Sequence, residues 1–426
     1  MLYKYLLYFL LFSSISGFSC MDNRDTGDNW THFRGSLMNG HAEVKGAPVH
    51  WSEDLNIVWK NAVKGSGWSS PVIYNDQVWL TSASEDGREF YTLCYDLNTG
   101  HLLDDKIIFR HKEPQRINRL NSYATPTPCI EENFVYVHYG TFGTACIDTR
   151  NFEIVWKRED LKCDHMQGPA SSPIINDNTV FIHLEGVENP YVVALDKRTG
   201  KTIWKSVRPA EIYDPLEPVY RKSYQTPIVI KAAGRELLIS NSSYMCFAHD
   251  VKTGEVIWTF EYGYDSTVSQ PLFWNGLVFV NSGWIKIDNR PYFTRQYAVD
   301  PEGRGDITGT HVKWVYEDDV PQLSTPVIVD GNMYMIHDRG MLTCLDALEG
   351  RPLWKEKLKG NYNSSPVFAA GYIYFFSVKG DCTIIKPGGT FQKVAENSIG
   401  EMVKTVPAFV NGDMVLRTDQ NLYLIR

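Results

Sequence analysis

The sequence predicts an all-β chain, an eight-bladed β-propeller of four-stranded antiparallel blades. Three observations carry this. A proline opens a short apolar strand at Pro71, Pro128, Pro173, Pro227, Pro271, Pro326, Pro366 and Pro407, at intervals of 40 to 57 residues. A turn signature recurs between them as CYDLNTG, ACIDTRN, ALDKRTG, AHDVKTG, AVDPEG, CLDALEG and IIKPGG. A tryptophan marks the fourth strand at Trp59, Trp156, Trp204, Trp258, Trp314 and Trp354. Repeats of this length, each unable to bury both its faces alone, are stable when stacked in a ring.

The unit is plainest between Ser171 and Lys205. Pro173 starts a strand at Ile174-Ile175, and Asn176-Asp177-Asn178 turns it, because Asn and Asp bond their own backbone and tolerate positive φ. Val180 to Ile182 and Tyr191 to Leu195 are the next strands. Asp196 to Gly200 is a tight turn with glycine in the left-handed position. Thr202 to Trp204 completes the sheet. Two tryptophans are missing from this pattern, near Ile108 and near Phe391.

The ends of the chain complement each other. Ile57 to Lys60 reads as a fourth strand with no first three before it, and the stretch after Pro407 has three strands and no fourth. The N-terminal strand is therefore expected to close the last blade, which removes the exposed edges of an open ring.

Ahead of the propeller, assigned to residues 55–426, residues 1–19 read as a secretion signal. Lys4 precedes a short apolar run, Leu6 to Phe12, and small residues lead to Cys20. This resembles a bacterial lipoprotein signal in which Cys20 carries the lipid. Residues 20–54 are a polar tether followed by Trp30, Phe33-Arg34-Gly35 and Trp51, which are expected to pack on the propeller. The expected location is the cell envelope, outer membrane, with the lipid as the only membrane contact and the chain a monomer.

A net charge of −8 gives a nucleic-acid partner no electrostatic support. Cys94, Cys146, Cys246, Cys344 and Cys382 fall near third strands and read as small buried hydrophobes; Cys129 and Cys163 lie outside that pattern. The spacing of Cys and His suggests no metal site, and no GxSxG, HExxH or P-loop motif is present.

Residues common to every blade are structural, so function is sought where the repeat is broken. The loops from a fourth strand to the next first strand emerge on one face, around the channel. Three are long and basic: 109–125, 157–171 and 205–225. The candidate ligand-binding residues on this face are Trp68, Arg110, His111, Asn121, Tyr123, His165, Gln167, Tyr224, Gln225 and Tyr362. Their base and aromatics suit an anionic or sugar ligand. No catalytic residue is assigned.

The segments NWTHFRG, WSEDLNIVWK, GWSSPV, NSYATPTP, LTCLDALEG and SSPVFAAGYIYF resemble those of exported bacterial propellers with pyrroloquinoline-quinone-type (PQQ-like) repeats. Two branches of that group imply different roles. Quinone-dependent alcohol dehydrogenases imply a quinone, a calcium ion and a disulfide between adjacent cysteines; the sequence has no adjacent cysteine pair. The propeller lipoproteins of the outer-membrane β-barrel assembly machinery imply a non-catalytic scaffold without cofactor. The expected function is such a scaffold or binding protein, with an envelope protein as partner. A carbohydrate-binding or carbohydrate-active protein with an oligosaccharide ligand is the alternative, and a quinone dehydrogenase is the second.

Overall fold

The computed structural model describes residues 28–188, 190–263, 265–285 and 293–426; the signal and Cys20 lie outside them. Eight antiparallel sheets form the ring. Blades 1 to 7 span residues 72–110, 129–158, 174–207, 228–261, 272–316, 327–357 and 367–398. Blade 8 combines Ala408–Val410, Asp413–Arg417 and Asn421–Ile425 with the N-terminal strand Ile57–Ala62, which pairs antiparallel with Asn421–Ile425.

The repeated residues join each blade to the next. The indole N–H of Trp59, Trp156, Trp204 and Trp314 donates to the carbonyl of Leu97, Lys197, Val251 and Ala347, at 2.8 to 3.1 Å. Each acceptor directly follows the turn aspartate of the next blade. The turn glycine supports the same ring: a Cβ on Gly350, whose φ is 66°, would sit 2.5 Å from Trp314 Cδ2. Such a bond contributes about 1 kcal/mol net, and the packed indole contributes more.

The strand register moves the two missing tryptophans. Cys94 faces Asp104 and Ile384 faces Ala395, just as Ala194 faces Trp204. The vacant positions are thus Asp104 and Ala395, rather than sites near Ile108 and Phe391. A β-bulge one residue before the tryptophan position displaces the count, since the bulged residue has no partner. Beside Asp104 the following blade also lacks the glycine: Phe152 takes its place at φ 61° and packs on Trp79, with ring centroids 5.8 Å apart. Ala395 shares its core cluster with Trp51, which stacks on Phe376 and whose backbone N–H donates to Asn397 Oδ1 at 3.0 Å.

The N-terminal segment blocks the far end of the channel. Trp30 exchanges two backbone bonds with Ile73 in blade 1, and Ile130 N–H of blade 2 donates to Thr31 O. Ile175 N–H of blade 3 donates to His32 Nε2 at 3.3 Å. Arg34 Nη2 donates to Pro326 O of blade 6 at 2.6 Å, and His41–Ala42 pairs parallel with blade 7. Trp30, Arg34 and Trp51 are buried.

Candidate functional site: a blind cup on the loop face

Because the far end is blocked, the channel is a cup of about 1040 Å³ with Phe33 among its lining residues. The residue before each first-strand proline forms a hydrogen-bonded belt in its wall. Ser70 N–H donates to Thr127 Oγ1, Thr127 N–H to Ser172 Oγ, and Ser172 N–H to Thr226 Oγ1. Gln270, Thr325 and Val406 N–H continue it to Thr325 Oγ1, Ser365 Oγ and Ser70 Oγ. It is interrupted where Gln270 and Val406 bring no hydroxyl to the belt. These backbone groups are satisfied by side chains because no strand reaches them. A small sheet of Arg221–Ser223, Asp265–Thr267 and Trp284–Ile285 adds to one side.

The sequence-derived candidates divide. Trp68, Asn121, Gln167 and Tyr224 line the cup. Asn121 is engaged within the loops: its Nδ2 donates to Gln167 O and Pro169 O, and its Oδ1 accepts from Ser122 N–H and Thr125 Oγ1. Tyr224 hydroxyl donates to His165 O at 2.9 Å. His165 is buried; its Nε2 accepts the Thr141 N–H, and burial pulls its pKa down to about 4. His111 Nε2 bonds Phe142 O, and Tyr123 packs edge-on against Phe90 and Phe142. Arg110 is exposed and pairs with Glu89. Gln225 is buried with its Nε2 3.0 Å from His183 Nδ1. Tyr362 is buried, its hydroxyl donating to Lys359 O.

Much of the base in the three long loops is spent internally. Arg158 pairs with Asp160, and Arg221 donates to Leu216 O and Asp214 O. Arg208 is buried in a cluster between blades 3 and 4, which sequence reasoning missed. It donates through Nε to Glu185, through Nη2 to Ser240 Oγ at 2.6 Å, and bonds His249 Nε2 at 3.0 Å. Ser242 Oγ donates to the other Glu185 oxygen. Burial pushes the Glu185 carboxyl up and the His183 and His249 imidazoles down. Lys222 is buried too, with Nζ on Val219 O. Arg116 and Arg119 stay exposed.

The opposite arc of the wall, from blade 6 round to blade 1, is built from short loops, from which only Trp68 and Tyr362 were candidates. Lys404 Nζ lies 3.4 Å from the Trp68 ring centroid. Arg339 is exposed, and neither cation is within ion-pair distance of a carboxylate among the described residues; Asp419 acts on Lys404 from further away. The side-chain amides of Gln322, Asn361 and Asn363 line the cup and make no hydrogen bond within the described residues. Two further guanidinium groups lie behind this arc without a carboxylate. Arg417 Nη1 donates to Ser69 O, Ser69 Oγ and Thr81 O, and burial lowers its pKa to about 10. Arg34, lowered by burial to about 9, follows the cup-lining Phe33 and bonds Pro326 O. Both remain charged at neutral pH.

A quinone with calcium does not fit this donor set. Asp338 is the one carboxylate in the cup wall among the described residues, and its Oδ1 accepts from Gln322 and Leu323 N–H. No group of three or more His, Cys, Asp or Glu able to hold a metal occurs among those residues, and their seven cysteines are unpaired and buried.

Eight four-stranded blades, the turn-and-tryptophan repeat and the closure by an N-terminal strand define a PQQ-like repeat propeller. A family model described as outer membrane protein assembly factor BamB matches residues 49–206 and 189–386, and the chain belongs to that family. The fold is similar to that of BamB from Moraxella catarrhalis, with a TM-score of 0.60 and 12% identity, covering 87% of this chain and 99% of that one. It is also similar to a quinohemoprotein alcohol dehydrogenase, ADHIIG from Pseudomonas putida HK5, with a TM-score of 0.62 and 12% identity, covering 93% and 80%. A europium-containing methanol dehydrogenase aligns with a TM-score of 0.53 at 10% identity, covering 93% and 98%. No curated protein sequence matches the chain.

Proposed function

We propose that this chain is a non-catalytic binding propeller of the bacterial cell envelope, tethered to the outer membrane by lipid on Cys20, and that it docks a protein partner on its loop face. Membership of the BamB family supports a scaffold role. The observation that carries the docking surface is a pair of exposed apolar side chains on internally braced loops: Leu120 is 71% and Met166 45% exposed. Their loops are locked together by Asn118 N–H and Asn121 Nδ2, both donating to Gln167 O. Apolar side chains held out to solvent on a rigid support mark an interaction surface more than a solvated loop does.

The test is photo-crosslinking in whole cells. A photoreactive residue at Leu120 or Met166 is expected to give a discrete protein adduct, while one at Ile203, a bulged position on an outer strand, gives none. Cys20→Ser is expected to move the protein from the membrane to the soluble fraction. A membrane-bound protein with no adduct at either loop position overturns the docking surface.

A further inference from the structure

We infer that the short-loop arc of the cup is a binding site for an acidic oligosaccharide, a chain of sugar rings bearing carboxylates. The inference does not depend on partner docking at Leu120 and Met166, which lie on the other arc.

Charge is the first part of the argument. The whole chain carries a net charge of −8, yet this arc gathers cations. Lys404 and Arg339 face the cup, while Arg417 and Arg34 stand close behind its wall and beneath its floor. None is within ion-pair distance of a carboxylate among the described residues, although Asp419 acts on Lys404 from further away, and Arg34 Nε, Arg34 Nη1 and Arg417 Nε are buried without any hydrogen-bond acceptor. A concave site with low-dielectric walls focuses such a field on whatever enters it. Asp338 is the one carboxylate lining the cup among the described residues, and two backbone N–H groups already hold it; Asp419, outside the lining, acts on Lys404 from a distance. Lys404 is half-buried and fixed over Trp68, so its ammonium loses little freedom on meeting an anion.

The neutral groups specify the rest of the ligand. Gln322, Asn361 and Asn363 each offer an amide that both donates and accepts. Amides without internal partners match hydroxyl groups, which also donate and accept; a bare inorganic anion would use only their donors. The volume, about 1040 Å³, is at the upper end for ligand cavities of about 300–1,000 Å³, so it suits several sugar rings better than one.

The experiment is isothermal titration of the soluble chain, residues 21–426, at low and high salt with four probes. These are tetragalacturonate, the neutral maltotetraose, hexaglutamate and PQQ with calcium. Tetragalacturonate is expected to bind, at least tenfold tighter than maltotetraose or hexaglutamate, and to weaken as salt rises. Lys404→Gln and Arg339→Gln, both at solvent-accessible positions, are each expected to weaken it about tenfold, with an unchanged melting temperature for Arg339→Gln and only a small fall, from the lost Trp68 contact, for Lys404→Gln. Equal binding of hexaglutamate would reduce the site to charge alone and overturn the saccharide. Binding of PQQ in preference to the saccharide, or of none of the four, also overturns it. So does tetragalacturonate binding that neither substitution changes, because the ligand would then lie elsewhere.

Discussion

The two arcs of the cup are made in opposite ways. From blade 2 to blade 4 the wall consists of long, charged loops whose polar groups largely bond one another: Arg208 with Glu185, Asn121 with two carbonyls, His165 with Thr141 N–H. From blade 6 to blade 1 the loops are short, and Lys404, Gln322, Asn361 and Asn363 have no internal hydrogen-bond partner for their side-chain groups among the described residues. A long loop must satisfy its own backbone and side chains to be ordered. A short loop braced by two strands is ordered already, which leaves its side chains available. Charge density in a loop therefore says less about binding than the absence of internal partners.

The largest effect expected from this comparison is at Arg208. Arg208→Met leaves Glu185 buried and uncompensated, at a cost of about 3–5 kcal/mol, measured by urea unfolding. A loss below 1 kcal/mol would erase the distinction between the arcs.

Acid should then weaken the long-loop side and the N-terminal plug. His165 and His32 are held neutral by burial, with pKa values near 4, while in the unfolded chain each protonates below about pH 6.5. The unfolded state thus binds more protons between those limits. Stability is whole above pH 6.5, falls as pH drops through that value and levels off near 4, with about 2 kcal/mol lost per histidine at pH 5. His165→Asn should flatten the slope of stability against pH; an unchanged slope would show that this imidazole does not titrate on unfolding.

Substitutions on the short-loop arc should leave the fold alone. Asn363→Ala is expected to change unfolding free energy by less than about 0.5 kcal/mol, as surface changes do. A larger loss would show that this arc is structural as well. The smallest effect belongs to Glu89→Gln, which breaks an exposed pair with Arg110 and should not shift the melting temperature detectably.

The ring was legible because its signals are local. Pro173, the Asp196 to Gly200 turn and Trp204 each encode their own strand or turn, and repetition multiplied them. The register of the fourth strands was less legible. A bulge at Ile203 and its equivalents adds an unpaired residue, so counting from the turn missed Asp104 and Ala395. Trp68, Asn121, Gln167 and Tyr224 were placed on the cup because topology brings every connecting loop of that type to one face. Lys404 and Arg339 were passed over because a lone cation in a short loop carries no pattern. The burial of Arg208 was hidden for the opposite reason: its partners Glu185, Ser240 and His249 come from two different blades. The path of residues 28–42 across the channel depends on contacts with first strands far away in the chain, so only the packing of Trp30 and Arg34 was legible beforehand.

The pairing of Ile57–Ala62 with Asn421–Ile425 has a consequence for how the molecule is made. The two strands of that seam lie at opposite ends of the ring sequence, so the last blade cannot assemble until nearly the whole propeller has been synthesised. Contacts this distant slow folding, because the loop between them must close first. Until that moment blades 7 and 1 expose flanks that blade 8 will cover, apolar surface of the kind that makes incompletely folded chains prone to aggregate. The seam is a latch, and the last strand to arrive, Asn421–Ile425, is what shuts it.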